Sequence, residues 1–228
     1  MTTKQLTSLL LLMGVALTSL AQITAVTEKG DTIYVYNDGT WTFTDDREQK
    51  ADPIGLNFLN EELRVDTLEG SFTVSENAQK EVISRLGTFR LKYDDKNWNR
   101  VPAGTLNAEA EMAFKHKEKE IYAIIIAEEI EVGLENIVKI AVKNMKDRTG
   151  SDIQQHKTQL KTVNNVPLIN GVYGISASGL ELTFDSYYYS GKAGTIQFLS
   201  WTGSSLYPKY ADIIEEFHNG LVIEPKEE

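Results

Sequence analysis

Glu120-Ile121-Tyr122-Ala123-Ile124-Ile125-Ile126-Ala127 is the stretch on which the fold turns. It is apolar on both of its faces, as a strand is when a sheet is covered on both sides. Beyond Glu128-Glu129-Ile130-Glu131, the residues Leu134, Ile137, Val138, Ala141, Val142 and Met145 recur at helical spacing. Lys139, Lys143 and Lys146 fall on the opposite face, and Gly150 stands where a helix stops. A doubly covered strand followed by an amphipathic helix implies layers on both sides of a sheet.

Working outward, Ala110 to His116 reads as the preceding strand, with Met112 and Phe114 alternating inward and a tight Lys117-Glu118-Lys119 turn after it. An earlier strand, Thr88 to Tyr93, ends in Asp94-Asp95-Lys96-Asn97-Trp98. Downstream, four strands are expected at about His156–Val163, Val166–Ala177, Leu180–Tyr189 and Gly194–Thr202. Their links, Asn164-Asn165, Ser178-Gly179 and Gly191-Lys192-Ala193, are short enough to make them antiparallel neighbours. A closing helix runs from about Pro208 to His218 with Tyr210, Ile213, Ile214 and Phe217 on one face and Gly220 as its stop, and the tail Glu224–Glu228 is read as frayed. The expected class is α+β: an antiparallel sheet of about 6–7 strands flanked by helices, an α/β/α sandwich.

Toward the N-terminus, residues 22–44 read as a small β-hairpin or meander: Ile23–Thr27, Thr32–Tyr36 and Thr40–Thr44, with turns at Glu28-Lys29-Gly30-Asp31 and Asn37-Asp38-Gly39. Tyr34 and Tyr36 share one face of it, and Trp41 and Phe43 share a face across the turn. Residues 45–70 are charged and aperiodic around Pro53 and Gly55 and read as a connector, though Ile54, Leu56, Phe58 and Leu59 suggest that it lies against something. The main domain is placed at residues 71–228. Residues 1–21 carry Lys4, an apolar run from Leu9 to Leu20 and then Ser19-Leu20-Ala21, the pattern of a cleaved export signal. That run is too short for a membrane anchor, which needs about 20 apolar residues, and no later segment is long enough either. The chain is expected to be exported and to end up periplasmic or secreted, with Gln22 as its new N-terminus.

The 228 residues contain no cysteine, which excludes a disulfide framework, a thiolate metal site, a lipid-modified cysteine and a cysteine nucleophile together. With 41% hydrophobic residues the chain has the material for a core. The formal charge is −10, from 23 basic and 33 acidic residues, which repels phosphate backbones and argues against nucleic acid as a partner.

Sites for chemistry are sparse. His116, His156 and His218 form no metal-binding spacing and read as satisfied surface histidines. Gly203-Ser204-Ser205 lacks the spacing of a nucleophile elbow and reads as a turn capping the last helix. Glu128-Glu129-Ile130-Glu131 and Asp94-Asp95-Lys96-Asn97 lack the pattern of a calcium loop and read as a solvated loop and a chain reversal. No cofactor, no metal and no catalytic residue is assigned.

Phe89-Arg90-Leu91-Lys92-Tyr93-Asp94 leading into Trp98, the apolar strand before the amphipathic helix, and Tyr187-Tyr188-Tyr189 before Gly194–Trp201 together resemble the fold of PsbP-like proteins. A nuclear import factor that binds the Ran GTPase shares that fold. The resemblance spans about residues 85–222 and rests on element order. It implies a binding or assembly-assisting protein, and no family catalytic residue falls on a matching position. Asp38-Gly39-Thr40-Trp41 likewise resembles a hairpin near the exported N-terminus of many Bacteroidota-type envelope proteins.

Two functional classes follow: an exported binding module of the envelope, and a secreted hydrolase acting on glycan or peptide. A structural reading makes the hairpin an oligomer contact. The candidate binding residues are Tyr187, Tyr188, Tyr189, Trp98 and Trp201. Of three consecutive strand tyrosines at least one must face opposite to its neighbours, so covered faces would bury it. The expected partner is another envelope or secreted protein, or a small ligand.

Overall fold

The computed structural model describes residues 23–26, 32–35, 41–42 and 57–224, Ser178 excepted. Residues 1–21, read as an export signal, the turns after residues 26 and 35, Tyr36 and Phe43, the stretch up to Leu56 read as connector and the tail from Pro225 lie outside the described residues. So does the Ser178 half of the Ser178-Gly179 turn.

The chain divides into two compact units at residues 56 and 57. In the first, β1 (Ile23–Val26), β2 (Thr32–Val35) and β3 (Trp41–Thr42) form the antiparallel meander, with Ile23 opposite Val35 and Tyr34 opposite Thr42.

The second unit opens with a 3-10 turn (Asn57–Asn60) and continues as β4 (Asp66–Phe72), β5 (Lys80–Ile83), β6 (Phe89–Tyr93), β7 (Trp98–Val101), β8 (Met112–His116) and β9 (Tyr122–Glu128). Then come α1 (Leu134–Thr149), the long strands β10 (Ile153–Val163), β11 (Val166–Ala177), β12 (Leu180–Gly191) and β13 (Gly194–Gly203), α2 (Tyr207–His218) and β14 (Leu221–Ile223). Gly150 ends α1 in the left-handed conformation expected of it (φ 65°). Asn164 and Asn165 supply the two positive φ angles that a tight hairpin between β10 and β11 requires.

The main sheet is larger than expected and is not purely antiparallel. Its eight strands lie in the order β4-β10-β11-β12-β13-β9-β8-β7, and β4 runs parallel to β10 with Gln159 opposite Asp66 and Val163 opposite Phe72. β4 sits where the sequence reads as connector because Leu68 and Phe72 alone among its residues are even half-buried. A polar strand of this kind suits the rim of a sheet, where an apolar edge would invite pairing with other chains. The strand Phe89–Tyr93 does not join the main sheet. It forms a separate three-stranded sheet in the order β14-β6-β5.

Three layers result. α1 covers one face of the main sheet through Ile137, Val138, Ala141 and Met145, which meet Ile124, Ile169, Tyr188 and Leu199. On the other face α2 and the small sheet share a layer: Ile214, Phe217, Phe89, Leu91 and Leu221 pack on Phe114, Ile125, Ile196 and Phe198. β9 is thus covered on both sides, as its composition demands. Gly220, read as the stop of the last helix, does a different job. Asn219 in ordinary helical conformation ends α2, and a Cβ on Gly220 would stand 1.9 Å from the Lys92 carbonyl oxygen, so glycine allows β14 to close on β6.

Candidate functional site

The long hairpins bring aromatic residues from distant positions into one row. The turn at Gly179 sets Tyr173 opposite Phe184, the turn at Lys192-Ala193 sets Phe184 opposite Trp201, and the junction of β13 with β9 sets Trp201 opposite Tyr122. Ring centroids are 5.5 Å apart for Phe184 and Trp201 and 5.8 Å for Trp201 and Tyr122, with near-parallel planes. Lys115 on β8, opposite Tyr122, extends the row and holds its ammonium 5.2 Å from the Tyr122 ring centre.

Tyr173 is buried beneath α1, but Tyr122, Trp201 and Phe184 remain partly exposed. Beside them lies a cleft of about 220 Å³. Its floor is Ile124, Ile126 and Leu199 with the Gln197 amide, and its walls are Met145 of α1 and Leu106 of the loop between β7 and β8. Arg148 and Glu109 meet across the rim at 2.6 Å. Both side chains are more than half exposed, so this ion pair contributes about 0–1 kcal/mol and can part readily.

The five residues singled out in the sequence do not form one surface. Tyr187 and Tyr188 are buried on opposite faces, Tyr188 against the α1 side and Tyr187 beneath α2, because alternation along β12 points each into a covered layer. Tyr189 is half-buried on the α2 side. Trp98 is 4% exposed and stacked on Phe217 at 3.8 Å. Trp201 alone lies in the cleft, and its companions Tyr122 and Phe184 escaped sequence reasoning. The hairpin turns carried a signal for Phe184, since turn position fixes register, whereas Tyr122 reaches Trp201 across a helix crossover.

Two histidines expected at the surface are buried. His116 is 1% exposed and His218 is fully enclosed, while His156 is exposed as read. His218 follows Ile214 and Phe217 on the inward stripe of α2 and packs on Phe198 and Tyr187 of the main sheet, with ring centres 4.4 and 4.7 Å away.

Burial brings Ser200, His218 and Asp185 together, the residue types of a nucleophilic triad. The Ser200 hydroxyl and His218 Nε2 share a hydrogen bond of 2.7 Å. His218 Nδ1 is 3.9 Å from Asp185 and has no hydrogen-bond partner among the described residues. Asp185 instead accepts from Asn170 Nδ2 at 2.6 Å and from the Tyr207 hydroxyl at 2.8 Å. Burial and the nearby Lys161 push His218 down to about 3, far below what a general base at neutral pH needs. Ser200 is fully buried in mid-strand, so neither a substrate nor free backbone donors for an oxyanion are at hand. These residues belong to a polar network under α2, in which the Lys161 ammonium meets Glu215 at 2.6 Å and the Tyr187 hydroxyl donates to Asn219 at 2.9 Å. Burial also drives Asp185 and Tyr187 upward.

Neither acidic motif gathers a metal set: no group of three histidine or carboxylate ligands occurs among the described residues. Asp94 closes its own turn, accepting from the Lys96 N–H and the Asn97 amide, each at 2.8 Å. Ser204 accepts from the Thr183 hydroxyl at 3.0 Å, and no side chain caps α2.

No family model and no curated protein matches the chain. Among solved structures, the chain is similar to a cyanobacterial PsbP from Synechocystis sp. PCC 6803, with 8% identity, 69% of this chain and 99% of that one covered, and a TM-score of 0.49. It is also similar to LpqN of Mycobacterium tuberculosis, a protein involved in cell envelope biogenesis, with 12% identity, coverage of 69% and 100%, and a TM-score of 0.46. A PsbP is therefore among the structural neighbours, as the order of elements led us to expect. The neighbours bring no site residue to this chain. No helix among the described residues is long and apolar enough to cross a membrane.

Proposed function

We propose that this protein is an exported, non-catalytic binding module of the bacterial envelope, and that it holds its ligand in the cleft between α1 and the aromatic row. The observation that carries the reading is the partly open row Tyr122, Trp201 and Phe184 beside an apolar floor and a rim closed by a weak ion pair. A concave, mostly apolar site with a few polar groups at its edge is the usual form of a ligand site. Export is supported by the leader pattern in residues 1–21, and the absence of a competent nucleophile in the Ser200 cluster weighs against the hydrolase reading.

The test is capture. Mature chain from Gln22 to Glu228 is immobilised, exposed to solubilised envelope, and the retained proteins and small molecules are identified by mass spectrometry beside a Trp201→Ala variant. A species retained by the wild type and lost, at least tenfold, from the variant supports the reading. Retention equal in both would move the site elsewhere. Turnover of a glycan or peptide that ceases on a single carboxylate or histidine substitution would replace the reading by the hydrolase.

A further inference from the structure

The opposite face of the sheet holds a second pocket of about 120 Å³, at the point where the turns after β6 and β8 meet α2. His116 lines it. The ring is 1% exposed, yet its two nitrogens are not equivalent. Nδ1 accepts from the backbone N–H groups of Glu118, at 3.1 Å, and Lys119, at 3.2 Å, so its lone pair is engaged. Burial and the Lys119 ammonium both disfavour a charged ring. The neutral ring therefore carries its proton on Nε2 and offers a donor there. No described residue accepts from that nitrogen.

The charged groups around the ring are unequally engaged. Both oxygens of Asp94 are taken by its own turn, and Glu216 accepts from the Ser75 hydroxyl. Lys119 also lines the pocket, near enough to act on the His116 ring, and pairs with no carboxylate among the described residues. An aromatic floor completes it, with Trp98 stacked on Phe217 at 3.8 Å and set edge-on to His116 at 5.3 Å. The walls are held in place, because the Asn97 carbonyl accepts from the Lys117 N–H at 2.8 Å and the Asp95 carbonyl from the Lys117 ammonium at 2.6 Å. Two donors without acceptors over an aromatic floor call for an anion with an apolar body. The neighbouring carboxylates of Asp94 and Glu216 would oppose a dianion such as phosphate more strongly than a monoanion.

We infer that this pocket binds a small organic monocarboxylate, its carboxylate received by His116 Nε2 and Lys119 and its body by Trp98 and Phe217. The inference is independent of the cleft on the α1 face.

The test uses purified protein labelled with 15N in its three histidines, titrated separately with sodium benzoate and with inorganic phosphate. Saturable movement of the His116 ring signals by benzoate, with His156 and His218 unmoved, is the expected result. Lys119→Gln, a change at a half-buried position that leaves the fold intact, should weaken benzoate binding at least tenfold. Phosphate binding in preference to benzoate overturns the carboxylate assignment. A His116 signal unmoved by either anion, or benzoate binding indifferent to Lys119→Gln, overturns the site.

Discussion

The Lys161 ammonium lies 2.6 Å from Glu215 Oε1, yet the two side chains are unequally enclosed: the lysine is 2% exposed and the glutamate 36%. The pair should therefore be asymmetric to mutation. Glu215→Ala strands a buried cation and is expected to cost about 3–5 kcal/mol. Lys161→Met leaves a carboxylate that can turn to water and puts an apolar chain over Phe72, whose ring centre is 4.4 Å from the ammonium. Its cost should be under about 2 kcal/mol. Urea unfolding of the two variants checks the order, and equal losses would refute it.

Gly220→Ala should be among the most damaging single-methyl changes in the chain, because the added carbon meets the Lys92 backbone oxygen at 1.9 Å and neither chain segment can yield. A loss of about 3 kcal/mol or more is expected. Gly203→Ala, whose nearest neighbour would be a Leu206 methyl at 3.9 Å, serves as control and should stay within about 1 kcal/mol. Thermal melting of both separates the cases.

Adjacent tyrosines should respond oppositely to loss of the hydroxyl. Tyr187 donates to Asn219 at 2.9 Å, so Tyr187→Phe should cost about 1 kcal/mol. The Tyr188 hydroxyl is buried without a partner, the Ser186 hydroxyl beside it lying outside bonding geometry. Tyr188→Phe should be neutral or stabilising by up to about 1 kcal/mol. Chemical denaturation midpoints decide; a marked loss in Tyr188→Phe would show that the hydroxyl has a partner after all.

Acid should unfold the protein through His218. Burial holds its folded pKa near 3, against an ordinary 6.5, so between these values the unfolded chain takes up a proton that the folded chain refuses. Stability then falls as pH falls. This residue alone accounts for about 2 kcal/mol between about pH 7 and about pH 5. His116, also lowered by burial, acts in the same direction. Asp185 acts in the other, since its raised pKa means that acid relieves a buried carboxylate. Urea midpoints at the two pH values should show a smaller difference in His218→Gln than in the wild type, and an unchanged difference would remove His218 from the account.

Much of the scaffold could be read from periodicity. β9, α1, β11 and the hairpins from β10 to β13 carry strong alternation, helical stripes or turn pairs, and they stand within a few residues of where the sequence puts them. What escaped was governed by tertiary context. β4 and β7 have few inward apolar residues, and β14 is three residues long, so none writes a pattern of its own. The surface histidines failed for a related reason: His116 and His218 look solvated beside Lys117 and Asn219, but Trp98 of β7 packs on His116, and α2 turns His218 onto Tyr187 and Phe198 of the main sheet. Of the cleft, Trp201 was legible as an aromatic residue on a strand. Its pairing with Tyr122 was not, because strands separated by a helix have no turn to set their register.

That same junction has a kinetic meaning. Apart from β4 at its edge, the main sheet consists of two local meanders, β7-β8-β9 and β10 to β13, joined where Thr195 to Trp201 pair with Glu128 back to Tyr122. Each meander can form from near neighbours in the chain, but their joining must close a loop through α1 and the long hairpins. The backbone there leaves little tolerance, since a Cβ on Gly194 would stand 2.2 Å from the Glu128 carbonyl oxygen. Contact order makes the joining of the halves the step expected to come late in folding. A chain halted before it would display the open edges of β9 and β13, the form of this protein most prone to aggregate.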